Sequence, residues 1–320
     1  MSSNFLLVLD VGGTEIKGAV VNCKGKLIES TISKYPSKSG ESKEVILTNF
    51  VNIIRNLIKI SKHKNAKYFG VVLAFPGPFD YEKGISYIKG VNKYESIYGV
   101  NIYNYLKSKI KEDRYLSEVF LENFRVCFEN DARVFALGEY NSLKETKYKR
   151  VVVVTLGTGV GSAFINNGKI VKKVSGIPEG GYIYNIKIDN TTIEESLSAR
   201  GIENIAKSLY DKLGKDKDLK FSDVKSLAER ARKNDEIALK VFEIYEKRLI
   251  KSLLPILENF NSDALILGGQ ISKSADLFTK KLGRMLKEKS IDLIISKNNF
   301  ISTFIGGYFL FKNRFLGGVI

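Results

Sequence analysis

This sequence predicts a two-lobed α/β protein, and three observations carry that expectation. One element occurs twice: residues 5–22 read FLLVLDVGGTEIKGAVVN, and residues 151–171 read VVVVTLGTGVGSAFINNGKIV. Each is an apolar strand, a Gly/Thr-rich turn and a second apolar strand. In both halves such strands are followed by stretches with helical spacing of apolar residues, the pattern of an α/β layer. The chain has 320 residues, 44% of them hydrophobic and 27% charged, enough for two packed cores. Tight Gly turns let backbone N–H groups converge on an anion, and Thr hydroxyls add donors. Two such hairpins suggest two lobes closing on one nucleotide, which makes the chain a phosphoryl-transfer candidate.

The elements follow in order. LLVLDV, EIKGAVVN and KLIESTISK read as a hairpin and a further strand over 5–34. Ile46, Phe50, Ile53, Ile54, Leu57 and Ile58 mark a helical face over 43–62. YFGVVLAF (68–75) is a buried strand stopped by Pro76-Gly77-Pro78, and 99–111 reads as a second helix. FRVCFEN (124–130) is a strand running into a helix over 132–142. After the second hairpin, helices are expected over 193–214 and 222–233, and over 235–260 with a kink at Pro255. ALILGG (264–269) is a short buried strand, and IGGYFLFK (305–312) a final helix with small residues on one side. The lobes are placed at 1–130 and 131–302, with a C-terminal helix over about 303–320 packing back on the first. No Pro/Ser-rich linker separates them, so the boundary reads as a hinge.

Composition narrows the chemistry. The apolar run at residues 5–9 is too short for a signal segment or a membrane span, and no run approaches eighteen residues. A cytoplasmic protein with no membrane partner is expected. Cys23 and Cys127 have no partner spacing and read as buried thiols. The single histidine, His63, lies in the polar stretch SKHKNAK and is expected to face solvent. That removes Ser-His-Asp, Cys-His and His-ligated metal chemistries. The net charge of +16 is spread over short stretches (107–111, 144–150, 212–220), without a basic tail or interleaved aromatics. It favours small anionic ligands over specific nucleic acid.

Three motifs concentrate the chemistry. In Asp10-Val-Gly12-Gly13-Thr14-Glu-Ile-Lys17, a strand-end carboxylate suits Mg²⁺ held through water. The two glycines permit close backbone approach, Thr14 can donate to a phosphate, and Lys17 adds positive charge. Thr155-Leu-Gly157-Thr158-Gly159-Val-Gly161 lies between two strands and does not open a helix. That argues against a dinucleotide-binding Rossmann site, and no GxxxxGK[ST] exists for a P-loop. Asn130-Asp131 ends a strand and starts a helix, so Asp131 reads either as a helix N-cap or as a carboxylate at the active edge of an α/β sheet. In the second role it accepts a proton from an attacking sugar hydroxyl.

The stretches DVGGTEIKGAVV, LAFPGPFD, ENDARVFALGEY, LGTGVGS and LILGGQIS occur in one order from residue 10 to about residue 272. Together they resemble the ROK family of repressors, open reading frames and kinases. The resemblance implies the actin-like, sugar-kinase (ribonuclease H-like) fold, with ATP in the interlobe cleft. It implies ATP·Mg²⁺-dependent phosphorylation of a hexose or amino sugar, with a sugar and ATP as small-molecule partners and a homodimer as the assembly. It makes Asp131 the catalytic base and Asn130 its sugar-contacting partner. It makes Gly12, Gly13 and Thr14 the first phosphate loop, and Gly157, Thr158, Gly159 and Gly161 the second. Gly268 and Gly269 become the adenosine-side turn, and Pro76, Gly77 and Pro78 the turn shaping the sugar pocket.

The departures lie in IPEGGYIYNIKIDNTTIEESLSARGI (177–202). Glu179 matches the family's Gly-Glu-x-Gly-His glutamate, but Tyr182 stands in place of the histidine. The cysteines of the family's zinc segment are missing, so no zinc site is expected. Glu194 matches the last sugar-contacting glutamate. Both acids also read as solvated loop residues. The resemblance thus leaves a second possibility, a sugar sensor of this fold with weak or no catalysis. The first phosphate loop begins at residue 10, which reads as leaving no room for the DNA-binding domain of the family's repressors.

Overall fold

The computed structural model describes residues 4–63, 65–143, 147–212, 223–297 and 300–316. It divides into two compact units, 1–142 with 300–320, and 143–299.

The first unit opens with β1 (Asn4–Val11), β2 (Glu15–Asn22) and β3 (Leu27–Pro36). Helix α1 (Lys43–Ser61) follows, capped by the Ser42 hydroxyl, which accepts from the Val45 N–H. Then come β4 (Lys67–Phe75), the small pair β5 (Phe79–Asp80) and β6 (Ile85–Ser86), α2 (Ile102–Glu112), α3 (Arg114–Val119), β7 (Phe120–Asn130) and α4 (Asp131–Ser142). The main sheet has the order β3-β2-β1-β4-β7. β1 is antiparallel to β2 and parallel to β4, and β4 is parallel to β7. Leu6, Leu7, Val8 and Leu9 are fully buried, as a central strand covered on both faces requires.

The second unit repeats the plan. It contains β8 (Arg150–Leu156), β9 (Val160–Asn166), β10 (Lys169–Val171), β11 (Lys187–Ile188), β12 (Thr191–Thr192), α5 (Ile193–Leu197), α6 (Ala199–Lys212), α7 (Val224–Arg232), α8 (Glu236–Asn259), β13 (Ala264–Gly268), α9 (Lys280–Glu288) and β14 (Asp292–Ile295). Its sheet has the order β10-β9-β8-β13-β14, again two antiparallel pairings followed by two parallel ones.

Helix α10 (Ile301–Phe311) closes the first unit. It packs on α4 at backbone distance. A Cβ on Gly138 would fall 1.8 Å from the Ser302 carbonyl oxygen, and one on Gly306 1.8 Å from that of Val134. The Ser302 hydroxyl donates to the buried Glu139 carboxylate. The sequence reading put the lobe boundary at 130/131. The contact between α4 and α10 instead places α4 with the first unit.

Other differences are local. The helix expected over 193–214 breaks at Ser198, whose ψ of 173° is extended, so α5 and α6 are separate. Its end at 213–214, the start expected at 222 and the end at 317–320 lie outside the described residues. Parts of the basic stretches 144–150 and 212–220 do too. Helix α8 runs through Pro255 to Asn259. α3, α9, β14 and the β5–β6 pair were not anticipated. Cys127 is buried, and desolvation pushes its thiol up to about 12. Cys23, by contrast, is exposed, because β2 ends at Asn22 and Cys23 falls in the turn. His63 is exposed, stacked on the Phe5 ring at 4.5 Å.

Candidate active site

Parallel pairing brings three sequence motifs to one sheet edge. Asp10 of β1 is in register with Ala74 of β4, and Phe75 with Asn130 of β7. Asp10, the Pro76-Gly77-Pro78 turn and Asn130-Asp131 therefore share the carboxyl end of three adjacent parallel strands. Ligand sites of α/β sheets form at such edges.

Asp131 begins α4, but Asn130 caps the helix, its Oδ1 accepting from the Arg133 N–H at 3.3 Å. Asp131 Oδ1 accepts from the Ala132 N–H at 2.8 Å and from Asn130 Nδ2 at 3.0 Å. Its Oδ2 has no hydrogen-bond partner among the described residues. One oxygen is oriented and the other is free. Desolvation by the surrounding chain raises the carboxyl above the ordinary range, although the residue is exposed and water limits that rise. Asp10 is raised to about 6, chiefly by desolvation, with Lys17 opposing and the charges of Asp131 and Glu15 adding. Lys17 Nζ lies 4.0 Å from Asp10 and 3.4 Å from Glu15, so its charge is already shared between two carboxylates.

The first hairpin turn is held from outside. The Gly12 N–H donates to the Glu15 carbonyl at 3.1 Å, and Tyr94 donates to the Gly12 carbonyl at 2.8 Å. The hydroxyls of Ser37 and Ser39 both donate to the Gly13 carbonyl, at 2.7 and 2.6 Å. With the carbonyls engaged, the N–H groups of Gly13 and Thr14 and the Thr14 hydroxyl keep no partner among the described residues. Those are the donors an anion needs.

The second hairpin has the same backbone device. The Gly157 N–H donates to the Gly159 carbonyl at 3.0 Å, and the N–H groups of Thr158 and Gly159 have no partner among the described residues. The Ala199 N–H, opening α6, holds the Gly157 carbonyl at 2.8 Å. Gly161 lies in β9, opposite Thr155. Gly268 pairs with Thr155, which brings the β13 turn to the hairpin. Gly269 has φ +88°, and a Cβ there would meet the Leu156 carbonyl oxygen at 2.2 Å. A cavity of about 530 Å³ opens beside this hairpin, lined by Thr158, Ala199, Glu203, Val224, Ile271 and Lys273 among others. Its lining mixes apolar and polar side chains.

The segment without metal ligands is tied to the same hairpin. Ser162 of β9 donates to the Gly181 carbonyl at 2.8 Å and accepts from the Ile183 N–H at 3.1 Å. Glu194 Oε2 accepts from the Val160 N–H at 3.2 Å and lies against Gly159. Glu179 is exposed, and Tyr182 is half-buried with its ring 5.8 Å from Tyr184. Ile183, Ile193 and Leu197 are fully buried, the β11–β12 pair closes a turn, and Thr192 and Glu195 form a capping box. These contacts order the segment locally. No group of three or more His, Cys, Asp or Glu among the described residues is clustered to hold a metal ion.

Sequence reasoning missed two features. The first is a buried ionic cluster behind Asn130: Glu129 pairs with Arg133 at 3.0 Å and with Arg314 at 2.7 Å, and Arg314 donates to the Phe128 carbonyl. Glu129 also accepts from the Asn130 N–H at 3.0 Å, which fixes the strand-to-helix elbow. The signal was an acid directly before Asn130 with an Arg four residues on. The second is Lys93, whose side chain lies on Gly13. Nothing in the local pattern of residues marks it.

Two sheets of the same strand order, each with a Gly/Thr hairpin, define the actin-like class that sugar kinases share. A solved structure with this fold is a ROK family glucokinase from Streptomyces griseus in complex with glucose and AMPPNP; the TM-score is 0.68 at 19% identity, covering 96% of this chain and 98% of that one. The chain belongs to the ROK family, whose model matches residues 6–298. Relatives include a glucokinase of Halalkalibacterium halodurans, 27% identical over 98% of this chain and 97% of its own length. An N-acetyl-D-glucosamine kinase of Histophilus somni is 26% identical over 82% and 83%.

Proposed function

We propose that this protein is an ATP-dependent sugar kinase that phosphorylates a hydroxyl of a hexose or amino sugar. The observation that carries the reading is Asp131, with one carboxylate oxygen fixed by Ala132 and Asn130 and the other free at the carboxyl edge of the sheet. A base so held accepts the hydroxyl proton as the sugar oxygen attacks the terminal phosphorus. The P–O bond to the departing ADP breaks with its electron pair leaving on ADP. ATP fits the residues present: the second turn offers unpaired N–H donors, and the cavity beside it suits the nucleoside. Magnesium bound with ATP supplies charge neutralisation, and Asp10 is the carboxylate suited to hold it through water. Asn130, Pro76, Gly77, Glu179 and Glu194 are the sugar-contacting candidates that the family resemblance supplies.

The relatives' names support a sugar acceptor without fixing which. An ADP-release assay across hexoses and amino sugars tests the reading. Sugar-dependent release is expected. Sugar binding with no release would instead identify a sensor. The same reading makes the protein a cytoplasmic homodimer with no specific nucleic-acid or membrane partner. No helix among the described residues is long and apolar enough to cross a membrane. Light scattering on purified protein tests the dimer, and a monomer would contradict it. DNA binding is expected to be weak, nonspecific and lost near physiological salt; a sequence-selective complex there would contradict it.

A further inference from the structure

We propose that Lys93 is the cation that meets the terminal phosphate at the first hairpin. The inference rests on the sugar-kinase reading above and adds a residue that sequence matching does not single out. The Lys93 side chain lies along the turn: a Cβ on Gly13 would fall 2.3 Å from its Cδ and 2.8 Å from its Nζ. Among the described residues no carboxylate pairs with this ammonium, whereas Lys17, the other lysine at the turn, is already shared by Asp10 and Glu15. The free charge therefore sits beside the free donors of Gly13 and Thr14.

The segment that presents Lys93 is built to do so. Its neighbours Asn92 and Tyr94 both lie in the left-handed region, with φ of 55° and 59°. That conformation is costly for residues other than glycine and persists only where surrounding contacts enforce it. Here they do. Tyr94 is fully buried, and burial pushes its hydroxyl up, so it remains a donor to the Gly12 carbonyl. The Tyr94 N–H donates to the Ser39 carbonyl at 2.6 Å, and the Ser39 hydroxyl returns to Gly13. Glu95 Oε1 accepts from the N–H groups of Val91 and Asn92, at 2.7 and 2.8 Å. The turn and the lysine are thus fixed to each other through one closed set of hydrogen bonds.

The location selects the phosphate. The hairpin begins at Asp10, which shares the carboxyl edge of the sheet with Asn130-Asp131. A group delivered to the hydroxyl that Asp131 deprotonates must therefore pass at this turn. In the transfer the sugar oxygen forms the new bond to phosphorus, the bond to ADP breaks, and the proton passes to Asp131. Lys93 gains and loses no proton. Its charge opposes the negative charge on the phosphoryl oxygens, in a role no neutral side chain can fill.

The test compares wild type with Lys93→Met, Lys93→Gln and Lys93→Arg. Readouts are calorimetric binding of Mg·AMPPNP and Mg·ADP, steady-state kinetics and thermal melting. Loss of the charge should weaken AMPPNP binding about 10-fold or more, and ADP binding only about 3-fold or less. The kcat should fall about 10- to 100-fold with the sugar KM unchanged. Lys93→Arg should restore most of the AMPPNP affinity. Lys93 is exposed, so melting should not move, and the Gln variant guards against a packing effect of Met. Unchanged AMPPNP affinity and kcat in both neutral variants would overturn the assignment, as would equal loss of ADP and AMPPNP. Wild-type protein that binds no AMPPNP would instead overturn the kinase reading itself.

Discussion

At the first hairpin an ammonium, Lys93, lies on Gly13; at the second a carboxylate, Glu194, lies on Gly159 and accepts from the Val160 N–H. The backbone device is the same in both, a first glycine bonded within the turn and two N–H groups left open. The residue two before that glycine is Asp10 in one hairpin and Thr155 in the other. The repeat therefore reproduces the backbone turn and not its charge. The first hairpin has two carboxylates and an unpaired ammonium beside it, which suits the reacting end in the proposed transfer. The second has a cavity of about 530 Å³ beside it. Glu194 links that hairpin to the segment expected to touch sugar.

The largest effect should come from Asp131, which has no counterpart at the second hairpin. Asp131→Asn should lower kcat about 10²- to 10⁴-fold and leave nucleotide binding nearly intact. Near-normal turnover would remove the base from the first hairpin's side.

Asp10 makes the two hairpins differ in pH response. Its carboxyl is about 6 in the folded protein against an ordinary 3.8, so between those values the folded state binds more protons than the unfolded one. Stability from this group is then highest below about pH 4, falls as pH rises to about 6, and stays level above. Asp10→Asn should stabilise the protein at pH 7.5 by up to about 3 kcal/mol. Urea denaturation across pH 4–8 measures it, and a variant less stable than wild type at pH 7.5 would reverse the sign. Thr155→Val should leave the pH profile unchanged, since threonine does not titrate.

The turns also differ in room. A Cβ on Gly12 would fall 2.8 Å from the Glu15 carbonyl oxygen, whereas one on Gly157 meets nothing nearer than 4.0 Å. Gly12→Ala should cost about 1–3 kcal/mol of stability and Gly157→Ala less than about 0.5. Equal melting shifts would contradict the difference. The smallest effect concerns the segment tied to the second hairpin: a zinc-selective chelator should change neither melting nor activity. One tightly held zinc per chain on elemental analysis would contradict the reading.

Much of this was legible in the sequence, for a physical reason. Asp10, both Gly/Thr turns, Pro76-Gly77 and Asn130-Asp131 sit at strand ends, and the alternation of apolar runs with turn residues marks strand ends directly. What strand pairing adds is that Asp10 and Asn130 share one edge. Lys93 was illegible because two left-handed residues and a buried tyrosine aim it, and none of these has a periodic signal. α9 carries KKLGRMLKE, whose two fully buried leucines are too few to stand out, and β14 is four residues long. The break at Ser198 was hidden because helical spacing continues on both sides of it. α4 was assigned to the wrong lobe because its partner is α10, which lies far along the chain and is admitted by Gly138 and Gly306.

The central claim is that this chain transfers phosphate from ATP to a sugar hydroxyl, using the carboxylate beside the first hairpin. Mass spectrometry of sugars incubated with Mg·ATP and the protein tests it most directly. The account predicts one sugar monophosphate formed in step with ADP, and almost none with Asp131→Asn. ADP formed without sugar phosphate, or sugar phosphate formed equally by the Asp131→Asn protein, would contradict it.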